Sequence, residues 1–352
     1  MKTSSSSAMR LLASLLIAGA VLWMLFAGFG VEPDELLASL LSLEPSVWLC
    51  ALGLHACIYL LRAWRFSILT PLELRPSFGR LLAVSSAHNL AAYVLPMKSG
   101  EGTFVLYSSG VGEVPARASV ASLLVSRLLD LFVLCMILCV ATWSAPLLLA
   151  GGMPEEMSQL SPDQLGGKVS NLWVVGSVFA VVGLFAGFVC LRRAGVVTAI
   201  AGVLRLIRLQ ESAFGAKCLG VAERLGGALE EAGAHGGLMR ASLLSLAQWL
   251  FIFVFYASLF KSFGWPADES VLMPAVLAAG FGTLANLLPV NGFAGFGTQE
   301  GGWVLGLSFW AVEPELALAI GVGAHLVQLG NIILFGVLGH LAMASFSSPK
   351  ER

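Results

Sequence analysis

Charge is what this sequence has least of. Only 12% of its 352 residues are Asp, Glu, Lys or Arg, about half of the ~25% usual in a soluble domain. With 57% hydrophobic residues and a mean hydropathy of +0.86, this scarcity excludes an ordinary soluble globule and points to a polytopic membrane protein. A net charge of -1 and the lack of any long basic tract argue against a nucleic-acid partner. Six cysteines (Cys50, Cys57, Cys135, Cys139, Cys190, Cys218) are scattered through apolar or amphipathic stretches. With no CxxC or Cys/His spacing among them, they read as small buried hydrophobes, and neither a metal nor another cofactor is expected. Enzyme signatures are missing as well: no H-E-x-x-H, no G-x-S-x-G, no P-loop and no second embedded aspartate. Gly295-Phe296-Gly297 lacks the preceding strand and third glycine of a dinucleotide fingerprint.

What is present is a series of long apolar runs. About 20 residues are needed to cross a hydrocarbon core of ~30 Å as a helix. Leu11–Val31 carries no charge, and Ala27-Gly28-Phe29 is a poor cleavage site, so it reads as a retained helix and not a signal peptide. Further spans are expected over Pro45 to about Leu69, Ser119 to about Leu149, Asn171–Leu191, Ala241–Phe260 and Leu316 to about Ala344. Residues 192–240 differ, with seven Lys/Arg against four Glu and apolar positions 200, 203, 204 and 207 at helical spacing. This stretch reads as an amphipathic helical linker on the membrane surface, or as an ordinary solvated connector. The expectation is one integral membrane domain over residues 1–352: a first half at 10–191 with its N-terminal helix, the linker at 192–240, and a second half at 241–345.

Two breaks interrupt this pattern. Asn286–Glu300 is rich in glycine, holds Pro289 and ends in a carboxylate, and Leu95–Glu101 is a weaker relative containing Pro96, Lys98 and Gly100. Each is flanked by short apolar arms: Leu81–Leu95 and Thr103–Val111 around the first, Val271–Leu288 and Gly301–Trp310 around the second. Lys and Arg concentrate in residues 1–10, 62–80, 192–240 and the C-terminal tail, while 31–45, 150–170, 262–270 and 311–315 are poor in base. Placing the basic segments in the cytoplasm satisfies every connection, with both termini cytoplasmic, provided each break is entered and left on one side. The order span, broken pair, span then occurs twice with opposite entry. The fold class predicted is an all-α transmembrane bundle with an inverted-topology repeat and two broken or re-entrant helix pairs.

Ionisable groups inside such a bundle are costly, roughly 2.5–3.5 kcal/mol each at the bilayer centre, and are site candidates by default. Lys98 and Glu101 sit together in the first break, and Glu300 closes the second after Gly295 and Gly297. Glu300 could equally complement the positive end of a half-helix. Arg127 and Asp130 share a helix face at i,i+3, with either a structural or a gating role. Arg62 and Arg65 sit where a span meets the cytoplasm, as snorkelling residues or as attractors of lipid phosphate. His325, Gln328 and Asn331 lie on one face of the last span, for interhelical hydrogen bonding or a proton relay.

In this order Arg62-x-x-Arg65, Leu95-Pro96-x-Lys98-x-Gly100-Glu101, Arg127-x-x-Asp130 and Leu288-Pro289 followed by Gly295-x-Gly297-x-x-Glu300 resemble the membrane domain of the lysylphosphatidylglycerol synthase/flippase family. The resemblance runs from about residue 10 to 345 and implies a lipid-translocating role. Three positions depart from the family pattern: Lys98 and Phe104 stand where arginine is usual, and Gln299 where a base is frequent. No soluble aminoacyl-transferring domain accompanies the membrane part in this sequence, so the chain is not expected to be an enzyme. The function expected is a flippase-like transporter moving a phospholipid or a polyprenyl-linked or glycolipid head group across the cell membrane. The candidate substrate-binding residues are Lys98, Glu101, Glu300, Arg127, Asp130, Asn286, Arg62 and Arg65. The alternative is a non-transporting membrane partner of a lipid- or envelope-synthesis enzyme.

Overall fold

The computed structural model describes residues 33–95, 100–151, 161–191, 193–233, 237–267, 270–287 and 293–347. The expected first span, Leu11–Val31, lies outside the described residues, as do Lys98, Leu288 and Pro289.

All regular structure among the described residues is helical. Five helices are long and apolar enough to cross a membrane, over Pro45–Leu69, Ala116–Ala145, Gln164–Gly187, Gly237–Phe263 and Pro314–Phe346. They coincide with the second to last spans expected from the sequence, and the protein is an all-α polytopic membrane protein. The helices are α1 (Pro33–Leu41), α2 (Pro45–Leu69), α3 (Phe78–Val94), α4 (Glu101–Gly110), α5 (Ala116–Gly151) and α6 (Pro162–Leu191). Then come α7 (Arg193–Leu206), α8 (Ala213–Gly233), α9 (Gly237–Phe260), α10 (Leu272–Ala285), α11 (Thr298–Ser308) and α12 (Pro314–Ser347).

Local chemistry sets these ends. Pro45, Pro162 and Pro314 open α2, α6 and α12, where a missing N–H costs nothing because it would have had no helical partner. Thr70 precedes Pro71 and turns to extended backbone (φ -89°, ψ 131°), ending α2. Before α6, the Ser161 N–H donates to Gln164 Oε1 (3.0 Å) and the Gln164 N–H to Ser161 Oγ (3.3 Å). This reciprocal capping box satisfies two N–H groups that the helix cannot.

The short helices form two antiparallel hairpins, α3/α4 and α10/α11. In the first, His88 meets Thr103 and Phe104. In the second, the backbones touch: a Cβ at Gly302 would lie 2.6 Å from the Phe281 carbonyl oxygen, and one at Gly306 2.6 Å from that of Leu277. With 10 and 11 residues, α4 and α11 each rise only about 15–17 Å.

The long helices pack against one another and against the hairpins in antiparallel pairs. On α2 and α9, Arg65 lies beside Ser245 and His55 beside Phe255. On α3 and α12, Gly339 touches Ala83 and Ala87 while Tyr93 reaches Gln328. On α5 and α6, Gly176, Gly183 and Gly187 face Trp143, Cys135 and Phe132, small residues that admit close helix approach where lipid offers no hydrophobic drive. Trp303 of α11 is wholly buried at the centre, with Tyr256 and Phe260 of α9 against its ring at 5.0 and 5.7 Å.

The linker folds as the helical pair α7/α8. Its apolar stripe is divided: Leu204 is buried and Ile200 half-buried, whereas Val203, Ile207 and the adjoining Leu206 face outward. The inner side, with Ala222, packs on Leu69, Val125, Leu129 and Ala241, where α2 ends and α9 begins.

Candidate functional site

Polar side chains gather at both breaks. At the first, Glu101 is the opening residue of α4 and accepts two hydrogen bonds from Arg127 Nη2 of α5, at 2.6 and 2.9 Å. Arg127 Nη1 also lies 3.9 Å from Asp130. Asp130 in turn receives both Nη groups of Arg65 from α2, with Nη2 at 3.0 Å, and Arg65 Nη1 donates to Ser245 Oγ at 2.6 Å. One turn earlier on α2, Arg62 donates to Asn89 Oδ1 of α3, and Asn89 Nδ2 donates to the Tyr59 hydroxyl at 2.8 Å. The Arg62 guanidinium also sits 6.0 Å from the Tyr59 ring centre.

The charges do not balance within this group. Arg62, Arg65 and Arg127 face Glu101 and Asp130, three cations against two anions. The surplus falls on Arg62, whose partners among the described residues are an amide oxygen and an aromatic face. Access differs too: the Arg65 side chain is 1% exposed, whereas that of Arg127 is 41% and that of Glu101 33%. One end of the cluster is sealed and the other open.

The second break is neutral in its outer parts. The Asn286 Nδ2 donates to Gln299 Oε1 at 2.6 Å, and Gln299 Nε2 donates to Gln328 Oε1 at 3.2 Å. Gln328 Nε2 then donates to the Tyr93 hydroxyl at 2.8 Å. Tyr93 lies four residues after Asn89 on α3, so the face of α3 that holds Arg62 also carries the link to the second break. The turn before α11 is left-handed at Ala294 (φ 55°), Gly295 (φ 85°) and Gly297 (φ 87°); at Gly295 a Cβ would also lie 2.8 Å from Asn286 Oδ1. Behind this turn Glu300 is wholly buried, accepting the Gly297 N–H at 2.6 Å and meeting His325 Nδ1 at 2.5 Å.

Comparison with known proteins bears on the whole chain. The family model described as the lysylphosphatidylglycerol synthase TM region matches residues 11–336. The chain belongs to this family. No curated protein matches it. As a member of the lysylphosphatidylglycerol synthase TM region family, it is a membrane protein related to lipid metabolism.

Among the residues singled out from sequence, Arg62, Arg65, Glu101, Arg127 and Asp130 come together at the first break, while Asn286 and Glu300 belong to the second. The two carboxylates Glu101 and Glu300 sit in different surroundings: one is a third exposed, the other sealed against His325. Sequence reasoning missed Tyr59, Tyr93, Tyr256 and Ser245. A signal existed for the first three: the chain has only four tyrosines, and three of them make interior hydrogen bonds to Asn89, Gln328 and Gln299. Buried hydroxyls in a membrane need partners, so scarce tyrosines within apolar runs mark polar interior faces.

Proposed function

We propose that the protein is a flippase-like lipid transporter, moving an anionic head group through a cavity near the bilayer midplane. The head group would be that of a phospholipid or a polyprenyl-linked or glycolipid phosphate. The surplus cation at the first break carries this reading. Arg62 has no carboxylate partner among the described residues, and Arg127 beside it is half-open. Guanidinium groups offer paired N–H donors that match phosphate oxygens. A charge left facing lipid would cost roughly 2.5–3.5 kcal/mol, which favours a polar cavity there. An apolar groove of about 700 Å³, walled by Phe132, Met136, Leu246 and Met273, begins within a helical turn of Asp130 and Ser245 and suits acyl chains.

An inverted repeat with re-entrant hairpins is the frame we propose for movement. The pairing of α3 with α12 has its counterpart in α10 with α5, and the first spans of the two halves, α2 and α9, run antiparallel. Helices of 10 and 11 residues are too short for a core of ~30 Å. Rocking of one half against the other would alternate access. In this reading the basic ends face the cytoplasm, both termini included, and the chain acts without catalysis.

Reconstitution in liposomes with head-group-labelled lipids tests the proposal. Head-group-dependent movement above that of empty vesicles, reduced at least tenfold in Arg62→Gln and Glu101→Gln, is expected. Movement equal to that of empty vesicles overturns it.

The outer side of α7/α8 favours a second reading. Leu206, Ile207 and Phe214 stand exposed among Arg205, Arg208 and Lys217, a surface on which a lipid- or envelope-synthesis enzyme could dock. Co-purification of such an enzyme, lost on Leu206→Glu, with lipid distribution unchanged on deletion of the gene, supports this reading over transport.

A further inference from the structure

We propose that Glu300 and His325 form a proton-binding site that latches the second break, so that loss of one shared proton releases the turn at residues 293–297. The argument is a count of hydrogens. His325 Nε2 lies 3.1 Å from the Ala294 carbonyl oxygen, which can only accept, so Nε2 carries a hydrogen. Glu300 Oε2 accepts the Gly297 N–H at 2.6 Å. That leaves Nδ1 and Oε1 facing each other at 2.5 Å. Two bare lone pairs repel at such a distance, so one proton sits between them. The pair is then neutral neighbours or an imidazolium–carboxylate pair, with no net charge in either form. Both side chains are 0% exposed, where an uncompensated charge is strongly disfavoured.

The two ends of the pair grip the same turn. Nε2 holds Ala294 and Oε2 holds Gly297, on either side of a segment whose residues 294, 295 and 297 all have positive φ. The short 3-10 turn at Phe293–Gly295 and the Thr298 hydroxyl, donating to the Gly295 carbonyl oxygen at 3.0 Å, also brace this segment. Removing the shared proton leaves one net negative charge in the sealed site. The side chains facing it are Phe296, stacked on His325 at 4.3 Å, Tyr93 of α3 at 6.4 Å between ring centres and Gln328 of α12. Gln299 follows, with Asn286 beyond α10 and Tyr256 of α9 bonded to it. Phe296, Gln328, Gln299 and Asn286 are uncharged, and a tyrosine hydroxyl is never a cation, so none of these supplies a compensating positive charge. Separation of Glu300 from His325 is the available relief, and it frees both bonds to the turn.

The first break makes the contrast. Arg127 lies 26 residues after Glu101 and His325 lies 25 after Glu300, each on the span that follows its hairpin. Arginine at that place gives a permanent ion pair, whereas histidine gives one that a proton can make or break.

Hydrogen exchange of the full chain in lipid nanodiscs, read by mass spectrometry between pH 5.5 and 9 and corrected for intrinsic exchange, tests the latch without requiring lipid movement. In the wild type, opening of the 293–308 segment is expected to steepen towards tenfold per pH unit, as one proton requires, while α5 around residues 128–140 stays flat. Glu300→Gln, whose amide can donate to Nδ1 and still accept from Gly297, is expected to remove the dependence and keep the segment protected. A flat wild-type profile overturns the proposal, as does an unchanged slope in Glu300→Gln. Should that variant fail to fold, the wild-type profile alone decides. A positive result with no lipid transport leaves the latch standing and removes the transport reading.

Discussion

At the scale of single residues, the two ion pairs of the first break differ in burial and so in what they do. Arg65 is sealed with Asp130 and Ser245. Removing one partner of a buried pair costs about 3–5 kcal/mol, while replacing both with apolar groups is often neutral. Asp130→Asn should therefore lower thermal stability in detergent sharply, and Arg65→Met combined with Asp130→Leu should recover much of the loss. The Arg127–Glu101 pair is open on one side, where pairs contribute about 0–1 kcal/mol. Glu101→Gln should accordingly leave the melting temperature nearly unchanged while lowering lipid movement. Sequence alone paired Arg127 with Asp130 on the strength of i,i+3 spacing; the stronger partners, Glu101 for one and Arg65 for the other, come from separate helices and could not be read from spacing.

At the scale of elements, glycine decides how closely the α10/α11 hairpin closes. Gly302 meets the backbone of Phe281 and Gly282, whereas a Cβ at its neighbour Gly301 would meet nothing within 4 Å. Gly302→Ala should destabilise by about 1–3 kcal/mol through overpacking. Gly301→Ala should be neutral or gain up to about 1 kcal/mol from helix propensity, and thermal unfolding of the two variants side by side checks both. The long spans were legible because length and lack of charge suffice to mark them. The linker was less so. Spacing correctly suggested helix, but the choice of which apolar residues turn inward depends on Leu69, Val125 and Ala241 from distant elements, which no local pattern contains.

At the scale of the whole molecule, the proposed opposite entry of the two halves makes a topological prediction. In a cysteine-free background, single cysteines at Gln164 and at Ser212 should react with impermeant reagents from opposite faces of the membrane; labelling of both from the same face would refute the proposed orientation. The order of spans and short arms was readable from composition, but the junction between halves was not, because it rests on Tyr93 and Gln328, neither of them charged. Among the described residues, the ion pairs Arg65–Asp130, Arg80–Glu113, Arg127–Glu101, Arg127–Asp130 and Glu300–His325 each stay within one half. Contacts that join the halves among the described residues, such as Arg65–Ser245, Gln328–Tyr93 and Tyr107–His340, have a neutral group on at least one side. The seam between the halves thus joins hydrogen bonds of about 0.5–1.5 kcal/mol between neutral groups, and about 1.5–3 kcal/mol where Arg65 meets Ser245, to apolar packing such as Leu138 against Gly280. None of the ion pairs named above has to break for the halves to move. Sliding along such a seam should be nearly indifferent to ionic strength, even where the capture of a charged ligand is not.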